Sequence, residues 1–204
     1  LVGDEIVITN SCTEALGLCL RAVTQPGDTV AVESPAYYLM LQLLETLGLK
    51  ALEIPTDPRT GVSVEALDLA TRDGRVAACL LVPNASNPLG SVMPDEKKRL
   101  LAALTAARGV PVIEDDIYGD LHFGSQRPWP IKAFDRAGNV LLCSSFSKSL
   151  SPSLRIGFVA AGRYRPALAL QKTITSGGTN PVTQHVLAGV RRLRASSARL
   201  AAQL

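Results

Sequence analysis

The sequence predicts an α/β fold, a mainly parallel seven-stranded sheet held between helices. Two observations predict it. Strand-like and helix-like segments alternate along the 204 residues, so strand–helix–strand units repeat and bring successive strands parallel. One run, VAACLLVPN (76–84), is continuously apolar, as a strand covered on both faces requires.

The elements follow in order. EIVITN (5–10) reads as a strand. SCTE opens the next segment with a capping box, Ser11 at the cap and Glu14 at the third helical position, so TEALGLCLRAVT (13–24) reads as a helix. TVAVES (29–34) is a strand and YYLMLQLLETLG (37–48) a helix. KALEIPT (50–56) is a strand and VEALDLATRDG (64–74) a helix. After the apolar strand 76–84, DEKKRLLAALTAARG (95–109) is an amphipathic helix stopped by a glycine. PVIEDDIY (111–118), NVLLCSSF (139–146) and RIGFVAAG (155–162) are three further strands, the first two parted only by the loop around HFGSQRPWPIKAFDRAG. RPALALQKTI (165–174) and PVTQHVLAGVRRLRASSARL (181–200) are helices.

Composition bounds the function. The chain is 47% hydrophobic and 19% charged with net charge +3, an ordinary globular balance and too little charge to argue for nucleic acid. Its apolar runs are far short of a membrane span, and no basic segment precedes an apolar one as in a secretory signal. Cys12, Cys19, Cys79 and Cys143 are widely spaced without a C-x-x-C, which favours reduced core thiols in a cytoplasmic protein over disulfides or zinc. The chain opens on leucine and closes in an uncapped helical pattern, so a fragment of a longer protein is expected.

Ligands of such sheets bind beyond the carboxyl ends of the strands. NSCTEAL follows the first strand, ESPAYY the second and PNASNPLG the fourth. The fifth ends in EDDIYGD and the sixth in SSFSKSLSPSLR. Nearly all the unusual chemistry therefore falls on one edge.

Ser11 is at least a helix cap. Its more specific reading is an anion site, since free N–H groups and the helix dipole attract phosphate and the Ser11 and Thr13 hydroxyls add donors. Ser145 and Arg155 can complete the cradle, the guanidinium donating two parallel hydrogen bonds. Asp115 and Asp116 read either as a solvated pair or as a carboxylate that stabilises a protonated heterocyclic nitrogen, with the Tyr118 phenol at the same edge. Lys148 would ordinarily reach for water. Held in a partly desolvated site, it becomes a nucleophilic amine able to form a Schiff base. A reactive lysine, a phosphate cradle, an acid for a pyridinium nitrogen and the Tyr37 ring together meet the demands of pyridoxal 5′-phosphate.

At this point the sequence resembles a known family, the large domain of fold-type-I, class I/II aminotransferases, and within it the aminotransferase-like domain of MocR-type (GntR family) regulators. The similarity covers essentially the whole chain, 1–204. SFSKSLSPSLRIGF (145–158) resembles the family's lysine motif. It implies that Lys148 forms the imine with the cofactor, that Arg155 binds its phosphate and that Ser145 assists. SCTEAL resembles the phosphate turn and implies Ser11, Thr13 and, through its backbone, Cys12. ESPAYY implies Tyr37 as the ring stacked on the pyridine. NASNPLG resembles an N-P-x-G motif and implies Asn87 at the cofactor's 3-oxygen. DDIYGD implies Asp115 at the pyridine nitrogen and Tyr118 at the 3-oxygen. Cis bonds are expected at Ser34–Pro35 and Asn87–Pro88.

The resemblance implies a pyridoxal-phosphate-dependent aminotransferase moving an amino group between an amino acid and a 2-oxo acid, with Lys148 as the catalytic base. The alternative is a cofactor-binding effector domain of a MocR-type transcription regulator with little turnover, touching DNA only through a winged helix-turn-helix domain before residue 1. Both imply a cytoplasmic homodimer without membrane association. Both also place an N-terminal arm before Leu1 and a small C-terminal domain, with the arginine for the substrate carboxylate, beyond Leu204. The fragment alone is then expected to be inactive. TSGGTNPVTQHVLAG (175–189) reads as a solvent loop or, by resemblance, as a segment reaching the partner's cofactor pocket.

Overall fold

Eight strands form one sheet in the order β1-β8-β7-β6-β5-β2-β3-β4 in a computed structural model that describes residues 3–190. The strands are β1 (Ile6–Thr9), β2 (Thr29–Ser34), β3 (Lys50–Asp57), β4 (Gly61–Val62), β5 (Val76–Leu81), β6 (Val112–Asp115), β7 (Val140–Ser145) and β8 (Gly157–Ala160). The helices are α1 (Cys12–Val23), α2 (Tyr38–Thr46), α3 (Val64–Ala70), α4 (Asp95–Arg108) and α5 (Arg165–Ser176). Seven strands were expected. The eighth, β4, is a two-residue edge pairing with β3, too short to leave a period in the sequence. Of the helix expected over 181–200, residues 181–190 are helical and the rest lies outside the described residues.

The β3–β2–β5–β6–β7 block is parallel throughout. β8 instead runs antiparallel to both β7 and β1. The reason is the connection. A parallel neighbour needs a crossover of a dozen or more residues, generally a helix, and residues 146–156 hold only a 3-10 turn, Pro152–Leu154.

The central strands bury side chains on both faces. Val30, Val32, Leu80, Ile113 and Leu141 pack under α1 and α2 with Leu16, Leu20 and Leu44. Their alternate neighbours Ala31, Cys79, Leu81, Val112 and Val140 pack under α3 and α4 with Leu67 and Leu101. Burying one such aliphatic side chain contributes roughly 1.5–3 kcal/mol, which explains why β5 reads as an unbroken apolar run. All four cysteines are free and buried in these layers.

The start of α1 and the end of α4 are punctuated locally. The Ser11 hydroxyl accepts the Glu14 N–H at 3.0 Å. Glu14 reaches back one residue further than a simple capping box, accepting the Asn10 N–H at 2.5 Å. Lys172 of α5 donates to the same carboxylate at 2.9 Å, tying two helices together at the cleft edge. α4 ends at Gly109, which takes φ +68°, a left-handed conformation in which glycine has no Cβ to clash.

Candidate functional site

Beyond the carboxyl ends of β2, β5, β6 and β7 lies a cleft of about 230 Å³. Ser11, Cys12, Thr13, Tyr37, Asn87, Asp115, Tyr118, Ser145, Lys148 and Arg155 all line it. The sheet thus collects these ten side chains onto one surface, from segments as far apart as residues 11 and 155, while Asp116, the other member of the aspartate pair, lies in a second hollow and pairs with Arg127. Leu16, Met40, Leu43, Val82 and Ile117 supply the apolar wall.

The floor is Asp115, the last residue of β6 and buried. Its Oδ1 accepts the Cys12 thiol at 3.3 Å and the Ile117 N–H at 3.1 Å. Its Oδ2 accepts no hydrogen bond among the described residues. Burial, opposed by those two donors, pushes the Asp115 carboxyl up to about 6. Across β5 lies a second buried carboxyl, Glu33, which accepts the Val82 N–H at 3.1 Å through one oxygen and leaves the other unpartnered. Burial pushes it up to about 8.

The rim is cationic and rich in hydroxyls. The N-terminus of α1 points its free N–H groups at the cleft beside Ser11 and Thr13, and Ser145, Ser147 and Arg155 stand opposite. Neither Lys148 nor Arg155 has a carboxylate partner among the described residues. In a wider hollow of about 750 Å³ behind β7 and β8, two of the lining cations are already paired, Arg127 with Asp116 and Asp120 and Lys132 with Asp135.

Three strained or tight backbone positions lie in the segments around the cleft. Arg155 at φ +50° and Ala85 at φ +48° are left-handed without being glycine, a cost of order 1–2 kcal/mol each. Gly157 is pressed so close to the Ser11 turn that an added Cβ would lie 2.6 Å from the Ser11 carbonyl carbon. This close approach lets the Ser11 cap and Arg155 share one edge. The Ser34–Pro35 and Asn87–Pro88 bonds, just before Tyr37 and at Asn87, are both cis.

Lys148 departs from expectation in one respect. It is exposed, with Nζ 5.9 Å from the Tyr118 ring centroid, so the described residues do not provide the desolvation anticipated for it. Other features escaped sequence reasoning altogether. Lys98 of α4 is fully buried and donates to Asn84 Oδ1 at 2.8 Å and to the Trp129 carbonyl at 2.6 Å. Asn84 in turn donates to Asp116 at 3.0 Å, and Arg127 closes on the other Asp116 oxygen. This chain of contacts pins the ends of β5 and β6, where Asn87 and Asp115 reside. A signal existed, since Lys98 shares the helical phase of the buried Leu101, Ala102 and Thr105.

Fold and cleft together define an α/β domain whose strand ends carry a buried acid, a hydroxyl-rich rim with an arginine, and a lysine without a carboxylate partner among the described residues. The profile of the family "Aminotransferase class I and II" matches residues 2–197. Two Escherichia coli K12 proteins, named as the uncharacterized HTH-type transcriptional regulators YjiR and YdcR, are 48% and 47% identical over 90% and 94% of this chain. The crystal structure of LysN, an α-aminoadipate aminotransferase from Thermus thermophilus complexed with N-(5′-phosphopyridoxyl)-L-leucine, superposes on 95% of this chain with TM-score 0.88 at 28% identity. The chain belongs to the class I and II aminotransferase family. It spans 39% and 43% of the two regulators' lengths and 51% of the LysN chain. No helix among the described residues is long and apolar enough to cross a membrane.

Proposed function

We propose that this chain is the pyridoxal 5′-phosphate-binding domain of a protein that transfers an amino group between an amino acid and a 2-oxo acid. The observation that carries the reading is the single cleft joining Lys148, Asp115 and the Ser11–Arg155 edge. The residues fit the group. An anionic phosphate suits an edge of hydroxyls, helix N–H groups and an unpaired arginine. A cationic ring nitrogen suits a buried carboxylate whose Oδ2 is free. When bound, the cofactor supplies an aldehyde carbon and a ring that withdraws electrons from the substrate's Cα.

The chain's own residues then have separable tasks. Ser11, Thr13, Ser145, Arg155 and the Cys12 backbone bind the phosphate. Tyr37 covers one ring face, and Asn87 and Tyr118 donate to the ring oxygen. Asp115 holds a proton at the ring nitrogen, its negative charge favouring the protonated ring. The Lys148 amine would hold the aldehyde carbon and, as a free amine, would carry the substrate's Cα proton as a general base.

The 48% and 47% identities to proteins named as regulators favour a second reading, in which the same cleft is the effector site of a MocR-type protein with little turnover. DNA contact would then belong to a winged helix-turn-helix domain outside this chain. The small C-terminal domain and the N-terminal arm are likewise proposed to lie outside it. Free buried thiols support a cytoplasmic location. A homodimer is supported by exposed Leu170, Ile174, Val182 and Val186 on either side of the turn at Gly177 and Gly178. The deciding experiment adds pyridoxal phosphate and then amino acids to the intact protein. An imine absorption band followed by 2-oxo acid release at catalytic rates supports the transferase. A band with amino-acid-dependent DNA binding and no release selects the regulator. No band at all refutes both.

A further inference from the structure

We infer that Cys12 is a positioning residue for Asp115, its thiol holding Oδ1 so that Oδ2 is the oxygen presented to a cationic ring nitrogen. The target of Oδ2 rests on the pyridoxal phosphate reading; the hydrogen bond itself does not.

Cys12 is the first residue of α1 and stands 103 positions from its partner in sequence. Its side chain is buried, and its sulfur lies 3.3 Å from Oδ1, within the range of a thiol donor. Burial first, and then the Asp115 charge, raise the Cys12 thiol well above its ordinary value, so the sulfur keeps its proton and donates. The Ile117 N–H reaches the same oxygen from the other side. Two donors converging on one oxygen fix the rotation of the carboxylate and leave the second oxygen free. A backbone N–H cannot be removed by a simple substitution, so Cys12 is the adjustable member of the pair.

The other groups near Asp115 do not replace it. Asp116, next along the chain, raises its proton affinity. Glu33 from β2 is pushed up to about 8 and donates nothing to it. Cys143 from β7 sits near its charge, but its thiol points to the Leu141 carbonyl and Cys19. Tyr37, Tyr118, Lys148 and Arg155 line the open side of the cleft and make no hydrogen bond to it. A buried acid there keeps its charge near neutrality only if something donates to it, and the thiol is the one side chain among the described residues that does.

Infrared pH-difference spectroscopy of the intact, cofactor-free protein tests this. The Asp115 carboxylic acid band is assigned with Asp115→Asn and the Cys12 S–H band with Cys12→Ser. The Cys12 S–H band is expected to shift as Asp115 titrates. Cys12→Ala, and Cys12→Val at greater volume, should raise the Asp115 midpoint by roughly half a pH unit, the loss of one weak donor. Cys12→Ser, which keeps a donor, should leave it at or below the wild-type value. Alanine and serine variants with the same midpoint would overturn the inference. So would a wild-type S–H band indifferent to Asp115 ionisation, a measurement that stands even if the alanine variant does not fold. Wild-type protein that takes up no pyridoxal phosphate would sink the cofactor reading alone, because the infrared titration still decides the role of Cys12.

Discussion

Gly157→Ala puts the geometry of the proposed anion cradle under direct test. The new Cβ would lie 2.6 Å from the Ser11 carbonyl carbon and 2.8 Å from the carbonyl oxygens of Ser11 and Ser144. All three are backbone atoms, so no side-chain rotation relieves the overlap. Ordinary contact begins near 3.4 Å, and β8 must therefore move from the Ser11 turn by roughly 0.8 Å. Overpacking of this kind costs about 1–3 kcal/mol, and the lower chain entropy of alanine returns about 0.4–1. The expected net loss is about 1–2 kcal/mol in urea denaturation of the intact protein followed by circular dichroism. Ser11 and Arg155 flank the shifted backbone, so pyridoxal phosphate should also bind more weakly, on the order of tenfold. Gly189→Ala is the control, since nothing lies within 4 Å of that position in the helical segment and up to about 1 kcal/mol of stabilisation is expected. A Gly157→Ala protein as stable as wild type would refute the close approach of β8 to the helix cap.

Four further outcomes follow from the same structure. Borohydride reduction of the cofactor-loaded intact protein should fix the label on Lys148; label on Lys132 or Lys172 would overturn that assignment. Lys98→Met leaves Asn84 Oδ1 without its lysine donor and the Trp129 carbonyl with only the longer Asn84 Nδ2 contact at 3.4 Å, and should cost about 1–3 kcal/mol, read as a lowered urea midpoint. Glu33, pushed up to about 8, keeps a proton in the folded state that an unfolded chain releases near ~4.3, so its contribution to stability declines as pH rises from about 4 to about 8. Glu33→Gln should flatten part of that decline in melting temperatures measured across the range, and an unchanged slope counts against the raised carboxyl. Asn180→Arg, placed in the turn after Gly178, should weaken the proposed dimer in sedimentation; a strictly monomeric intact protein with a reactive bound cofactor excludes a shared site.

The order of elements was legible in the sequence because its signals are local. Val30 to Val32 and Cys79 to Leu81 declare two-sided burial by being apolar at consecutive positions, and Ser11 with Glu14 declares a helix start within four residues. The candidate site was legible for a related reason. Parallel strands deliver their carboxyl ends to one edge, so residues following separate strands meet whatever the distance between them in sequence.

What tertiary structure alone decided depends on contacts without a sequence period. Cys12 was expected to act through its backbone, yet its side chain finds Asp115 across the sheet. Lys98 lies inward because Asn84 and the Trp129 carbonyl are there to receive its charge, a compensation no composition or spacing reveals. The reversal of β8 follows from a connection too short to cross over, and the exposure of Lys148 from which surfaces stand around it. Periodicity records which face of an element is apolar. It does not record which polar group waits on the other side, because that partner comes from a distant segment and is chosen only when the layers pack.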